Sequence, residues 1–136
     1  MSAKFKTLRH IETVRNFLGA VIKELVSRQE LHDQSKLQEP EAEMFDVFTE
    51  KLRGSTYGSD EYKGFLKEMG VPLKHHYENN QHHPEHFENG VNGMNLIDLI
   101  EMMCDWKASG MRHDNGDLFK SIEINKVFIR KDSLLY

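Results

Sequence analysis

Apolar residues near the start of the chain recur at steps of three and four, which is the period of an amphipathic helix. This pattern predicts one long helix at residues 4–30. Its apolar stripe consists of Leu8, Ile11, Val14, Leu18, Val21, Ile22 and Leu25. The sequence further predicts a second helix at residues 31–37 and a third that starts after Pro40 and ends at Gly54.

Turn-forming residues separate the helical patterns in the middle of the chain. Ser59 and Asp60 form a suitable N-cap for a fourth helix that runs to Gly70. Residues 73–78 fit a short helix, whereas residues 82–93 combine Pro, Asn and Gly in a pattern typical of a loop. Prolines and glycines therefore mark the connections between helices.

Two more helical patterns complete the chain. Residues 95–109 predict a strong helix, with Asn95 as its N-cap and Gly110 as its C-terminal stop. A last helix is predicted at residues 118–129, and only residues 122–129 offer a weak alternation of the kind that strands show. The fold class expected is therefore all-α, a helical bundle of about five to seven helices that forms a single domain over residues 1–136.

Composition and charge narrow the classes of function. The formal net charge is −4 and no basic stripe occurs, so neither a nucleic-acid polymer nor a membrane surface is an expected partner. A single Cys excludes an intramolecular disulfide framework and fits a reducing cytoplasm. No continuous apolar stretch follows the two early lysines, so no signal peptide is predicted and we expect a cytoplasmic location.

Histidine is in excess, with eight residues in the chain. Five of them fall in one short block: His75, His76, His82, His83 and His86. A polar surface loop is one interpretation of this block. Contacts with metal or phosphate are the other, because neutral imidazole is a common metal ligand and a protonated histidine pairs with phosphate.

Two further histidines precede this block. His10 lies on the apolar stripe of the first predicted helix, so we expect it to face inward, either as a hydrogen-bonded core residue or as a ligand. His32 and Asp33 are adjacent, and their side chains offer the nitrogen and oxygen donors that borderline divalent metals accept. Asp33 near a helix N-terminus is equally explained by the helix dipole.

The predicted helix at residues 95–109 is apolar over most of its circumference, which is typical of a helix buried on most sides. Asp98, Glu101 and Asp105 fill the narrow remaining stripe. These carboxylates are either a solvated face, or one of them, Asp105, faces a site. The methionines of this region are expected to fill the core.

The order His, His-Asp, His, Asp in an all-α chain resembles the HD-domain superfamily of metal-dependent phosphohydrolases. Several stretches look closer still to a small, largely uncharacterised family of bacterial and phage proteins. These stretches are His10, His32-Asp33-Gln34-Ser35-Lys36, the histidine block, and Glu101-Met102-Met103-Cys104-Asp105-Trp106. The second resemblance covers about residues 9–107.

The resemblance implies that His10, His32, Asp33 and Asp105 are the four protein ligands of one metal ion. In two-metal members of the superfamily, additional histidines hold a second ion. The matching candidates here are His75 or His76, and His82 or His83, although their close spacing departs from the usual pattern. These four histidines therefore serve either a second metal or the phosphate of a substrate.

The function expected is metal-dependent hydrolysis of a phosphoester in a nucleotide or a small phosphorylated metabolite. One or two divalent ions (Mn, Fe, Co, Ni, Zn or Mg) activate a water molecule. Lys36 lies one helical turn after Asp33 and is expected to reach the phosphate, and His82 or His83 is the candidate that protonates the leaving oxygen. Two alternative functions stay open: an oxygenase with a di-iron centre, and a non-catalytic module that binds a metal or a nucleotide. The sequence is also compatible with a homo-oligomer.

Overall fold

The computed structural model describes residues 1–56, 58–112 and 116–129, and every regular element in these ranges is helical. The six α-helices are α1 (Ala3–Leu31), α2 (Ala42–Gly54), α3 (Asp60–Glu68), α4 (Gly70–Asn79), α5 (Leu96–Gly110) and α6 (Leu118–Ile129). Three short 3-10 helices cover Gln34–Leu37, Pro84–His86 and Gly90–Gly93. The all-α fold class with five to seven helices is therefore confirmed. No helix among the described residues is long and apolar enough to span a membrane.

The chain divides into two compact units, Met1–His32 and Asp33–Tyr136. The first unit is α1, and it confirms the long helix predicted at residues 4–30. Its N-cap is Ser2, whose hydroxyl accepts a hydrogen bond from the Phe5 N–H at 3.2 Å. The side chain of His10 is exposed on α1, so the inward-facing position predicted for it is not seen in this unit, a single helix without an interior.

The helix predicted at residues 31–37 is wrong. Residues 31–37 do not form one helix: α1 ends at Leu31, and only a 3-10 turn follows, at Gln34–Leu37. Asp33 lies between them with φ 54°, in the left-handed region. A left-handed residue interrupts the helical hydrogen-bond pattern, and Asp is one of the few non-glycine residues that adopt it readily.

The turn-forming residues of the sequence mark the boundaries of α3 and α4, as predicted. The Ser59 hydroxyl caps α3 by accepting from the Tyr62 N–H at 3.2 Å. Gly70, with φ 45°, marks the change of direction where α3 gives way to α4. The predicted short helix at residues 73–78 is longer than expected, because Pro72 fits within the first turn of α4, where its missing N–H has no helical partner to lose. The predicted loop at residues 82–93 contains two of the 3-10 helices.

α5 supplies much of the interior of the second unit. Among the described residues of this unit, the buried large apolar side chains include Phe48, Met69, Met102 and Trp106, and two of these come from α5. α5 packs against α6, which confirms the last predicted helix. Met102 is 3% exposed and fills the core as expected, whereas Met111, which was also expected in the core, is 77% exposed because it lies just past the end of α5.

Replacing Asn95 by Ala is expected to destabilise the second unit by about 1 kcal/mol. The Asn95 side chain accepts from the Asp98 N–H at 2.8 Å, and Asp98 accepts from the Asn95 N–H at 3.0 Å. The variant loses one half of this reciprocal cap. Urea unfolding followed by the fluorescence of Trp106, the single tryptophan, measures the change. Asn89→Ala is the control because Asn89 makes no side-chain cap bond, and an equal loss there would contradict the assignment.

Candidate metal centre

Four side chains of the second unit converge on one point. Asp33, His76, His82 and His83 each offer one donor atom, and these four atoms all lie within 4.8 Å of one another. Asp33 directly precedes the 3-10 turn, His76 lies on α4, and His82 and His83 follow the end of α4. The left-handed backbone of Asp33 and the end of α4 therefore position these four residues, which together form the donor cluster.

His76 is held from both sides of its ring. Its Nδ1 lies 2.6 Å from Oε1 of Glu41, while its Nε2 lies 3.0 Å from Nε2 of His83 and 3.4 Å from Oδ1 of Asp33. The side chain is 2% exposed. One nitrogen of His76 thus meets a carboxylate outside the cluster, and the other nitrogen points into it.

His82 repeats this arrangement with a different carboxylate. Its Nε2 lies 3.3 Å from Oδ1 of Asp33 and 3.8 Å from Oδ2 of Asp105, and its Nδ1 lies 3.5 Å from Oε1 of Glu101. A second set of donors includes Asp33, His82 and Asp105, whose donor atoms also lie within 4.8 Å of one another. α5 contributes to this set through Asp105, and behind it through Glu101.

Asp33 is the negative charge at the centre of the cluster. Its Oδ2 accepts a hydrogen bond from Nζ of Lys36 at 2.7 Å. Burial raises the pKa of the Asp33 carboxyl, but the nearby rings of His76 and His82 and the charge of Lys36 outweigh burial and hold that pKa well below its usual range. Asp33 is therefore ionised, which is the form that binds a cation.

His83 is also suited to bind a cation, because its surroundings keep the imidazole neutral. Burial lowers the pKa of its imidazole, and the neighbouring His82 and His76 lower it further, against the opposing charges of Asp105 and Asp33. The neutral imidazole has a free lone pair, and this is the form in which histidine ligates metals. The chemistry of the donor set, one carboxylate with three imidazoles, fits a borderline divalent metal such as Zn²⁺, Fe²⁺, Co²⁺, Ni²⁺ or Mn²⁺.

A family model described as a family of unknown function, DUF5662, matches residues 1–132. The chain belongs to the DUF5662 family. No curated protein matches the chain, and no solved structure does. The family description assigns no activity, so the resemblance to the HD-domain superfamily stays a prediction.

The structure of this DUF5662 member brings together most of the residues singled out in its sequence. The donor cluster includes Asp33, His76, His82 and His83, and Asp105 joins Asp33 and His82. His75 does not belong to the cluster: its Nδ1 lies 2.6 Å from Oε2 of Glu41, and its side chain is 36% exposed.

The other two predicted ligands, His10 and His32, belong to the first unit. His10 lies on α1, and His32 is the C-cap of that helix, with its backbone N–H donating to the Arg28 carbonyl at 2.8 Å. His32 is also the chain neighbour of Asp33. Their roles as metal ligands stay predictions.

Two carboxylates behind the histidines were not singled out in the sequence. Glu41 is fully buried and bonds both His75 and His76, which lie 34 and 35 positions further along the chain. Because the partners are so far apart in sequence, no local pattern predicts this contact. Glu101 was noted only as part of an acidic stripe. Its position one helical turn before Asp105 was the available signal, because residues four apart share a helix face. The third member of the stripe, Asp98, serves the cap of α5 instead.

A cavity of about 950 Å³ adjoins the cluster and is lined in part by His76, His83 and Asp105. Cationic side chains on its wall are Lys36, Arg53, Lys63 and Arg112. Aromatic side chains on its wall are Phe45, Tyr62, Tyr77 and Trp106. This space is large enough for a small ligand, and its wall offers both positive charge and aromatic surface beside the donors.

Proposed function

We propose that the protein is a metal-dependent phosphohydrolase that acts on a nucleotide or another small phosphorylated metabolite. The observation that carries the proposal is the convergence of one carboxylate and three imidazoles, with donor atoms within 4.8 Å of one another, beside a cavity whose wall includes two of them, His76 and His83. A divalent ion held there lowers the pKa of a water molecule and polarises a phosphoryl oxygen.

Asp33, His76, His82 and His83 would hold the ion, with Asp105 as a further oxygen donor. Because His82 and His83 both lie within the donor cluster, we assign them to the ligand set rather than to protonation of the leaving oxygen. His82 is also 1% exposed, which leaves it little access to a substrate.

Lys36 is the residue we assign to the phosphate. Its ammonium lies 2.7 Å from Asp33, 4.8 Å from the centre of the Phe45 ring, and on the cavity wall. A phosphoryl group placed beside the ion would therefore find a positive charge next to the carboxylate. The wall carries four cations against two carboxylates, Glu85 and Asp105, and this balance favours an anionic substrate. Its aromatic side chains favour a substrate with a flat or apolar portion.

A metal add-back experiment tests this function. Metal-free protein receives Mn²⁺, Fe²⁺, Co²⁺, Ni²⁺, Zn²⁺ or Mg²⁺, one at a time, and is assayed against a panel of nucleotides and other phosphomonoesters. We expect release of inorganic phosphate with at least one metal and none in the presence of a chelator. No turnover with any metal contradicts the proposal. Two irons per chain with oxygen consumption would instead indicate the oxygenase, and ligand binding without turnover a binding module.

The remaining expectations belong to the same proposal. A cytoplasmic location and a small-molecule substrate agree with the single Cys and the net charge of −4. Assembly into a homo-oligomer stays a prediction, and analytical ultracentrifugation of the purified protein measures it directly.

A further inference from the structure

Glu41 is a fully buried carboxylate whose two oxygens are both committed to histidines. Oε1 lies 2.6 Å from Nδ1 of His76, and Oε2 lies 2.6 Å from Nδ1 of His75. Glu41 directly precedes α2 as its N-cap, yet its side chain makes no capping hydrogen bond. A carboxylate at this position ordinarily accepts from the first N–H groups of the helix. Here it turns to the two histidines instead.

The position of the hydrogen on His76 decides whether this residue is a ligand. In a neutral imidazole one nitrogen carries the hydrogen and the other carries the lone pair. Within the cluster, Nε2 of His76 has two neighbours that can accept a hydrogen, His83 Nε2 at 3.0 Å and Asp33 Oδ1 at 3.4 Å. On the other side of the ring, Nδ1 also lies 3.3 Å from Nδ2 of Asn80 and 3.4 Å from Oγ of Ser35, and both of these groups can donate to it. Without the carboxylate of Glu41, these neighbours together favour the tautomer with its hydrogen on Nε2, which does not bind a metal through that atom.

We propose that Glu41 is a positioning residue that keeps the hydrogen of His76 on Nδ1 and so directs the lone pair of Nε2 toward the donor cluster. The inference rests on the metal site of the proposed function. An ionised carboxylate only accepts, so each Nδ1 donates to it. Carboxylates behind metal-bound histidines fix the tautomer and the ring orientation in this way. The second oxygen of Glu41, bonded to His75, holds the carboxylate in place.

Glu41→Gln tests this role with little change in side-chain shape. The Gln side chain has one acceptor and one donor, so it no longer accepts from both histidines. We expect the affinity for Zn²⁺ to fall by about 10- to 100-fold, the range typical of lost outer partners. In the metal-free variant, ¹⁵N-resolved NMR of the histidine side chains should show the hydrogen of His76 moving from Nδ1 to Nε2. Glu43→Gln is the matched control, because Glu43 is an exposed residue in the first turn of α2.

Retained Zn²⁺ affinity together with an unchanged Nδ1–H tautomer in Glu41→Gln overturns the proposal. If the variant does not fold, the native protein decides: His76 with its hydrogen on Nε2 in the metal-free state overturns the proposal, and a hydrogen on Nδ1 supports it. Failure of the proposed function looks different. A protein that binds Zn²⁺ and shows the predicted tautomers but hydrolyses no phosphoester overturns only the hydrolase, whereas a native protein that binds no metal overturns both.

Discussion

Replacing Asp33 by Asn should abolish metal binding and phosphoester hydrolysis while leaving the helices intact. Asp33 belongs to both sets of donors, and its Oδ1 lies within 3.4 Å of Nε2 of both His76 and His82. Asn removes the charge at this point. It also adopts the left-handed backbone that Asp33 requires, so the chain path from α1 into the 3-10 turn is kept.

The expected size of the loss follows from the place of Asp33 in the site. Loss of a residue that only supports a ligand lowers metal affinity by about 10- to 100-fold, so loss of a central donor should exceed ~100-fold. Zn²⁺ titration and phosphate release measure the two effects, and circular dichroism reports the helices. Asp46→Asn makes the same chemical change at an exposed position of α2 and should leave both values unchanged. Native metal affinity in Asp33→Asn would refute the site.

The helices were predictable because their signals are local. Ser59 and Asn95 accept from the N–H three residues ahead, as their position before an apolar periodic run indicates. The error at residues 31–37 has a local cause that periodicity does not report. Asp33 takes a positive φ, and a residue of this type is compatible with either a helix or a left-handed turn until its surroundings select one.

The site was predictable only in part, because some of its residues lie far apart along the chain. His76, His82 and His83 were visible because they come from one short block, and the resemblance added Asp33 and Asp105. The cluster takes only His76 from the first adjacent pair but both His82 and His83 from the second, and this depends on how α4 ends and on what it packs against. Glu41 shows the limit most clearly: its contacts with His75 and His76 span more than thirty positions. Only the fold brings such residues together.

The same substitution at the adjacent histidines His75 and His76 should lower metal affinity strongly at His76 and hardly at all at His75. His76 is buried with its Nε2 in the donor cluster, whereas His75 is 36% exposed and outside it. Both histidines bond the same carboxylate through Nδ1. In His75→Gln and His76→Gln, the amide NH2 of the new side chain donates to Glu41 in place of Nδ1. The two variants therefore differ in one respect: only His76→Gln removes an Nε2 atom from the donor cluster.

We expect His76→Gln to lower Zn²⁺ affinity by at least ~100-fold, because it removes a donor rather than an outer partner. His75→Gln should change this affinity by no more than about 2-fold, because the Gln amide still donates to Glu41 and no donor of the cluster is lost. Competition with a chromophoric chelator measures both affinities, and the fluorescence of Trp106 confirms that each variant is folded. Equal losses in the two variants would contradict this assignment, and His76 would then no longer count as a ligand.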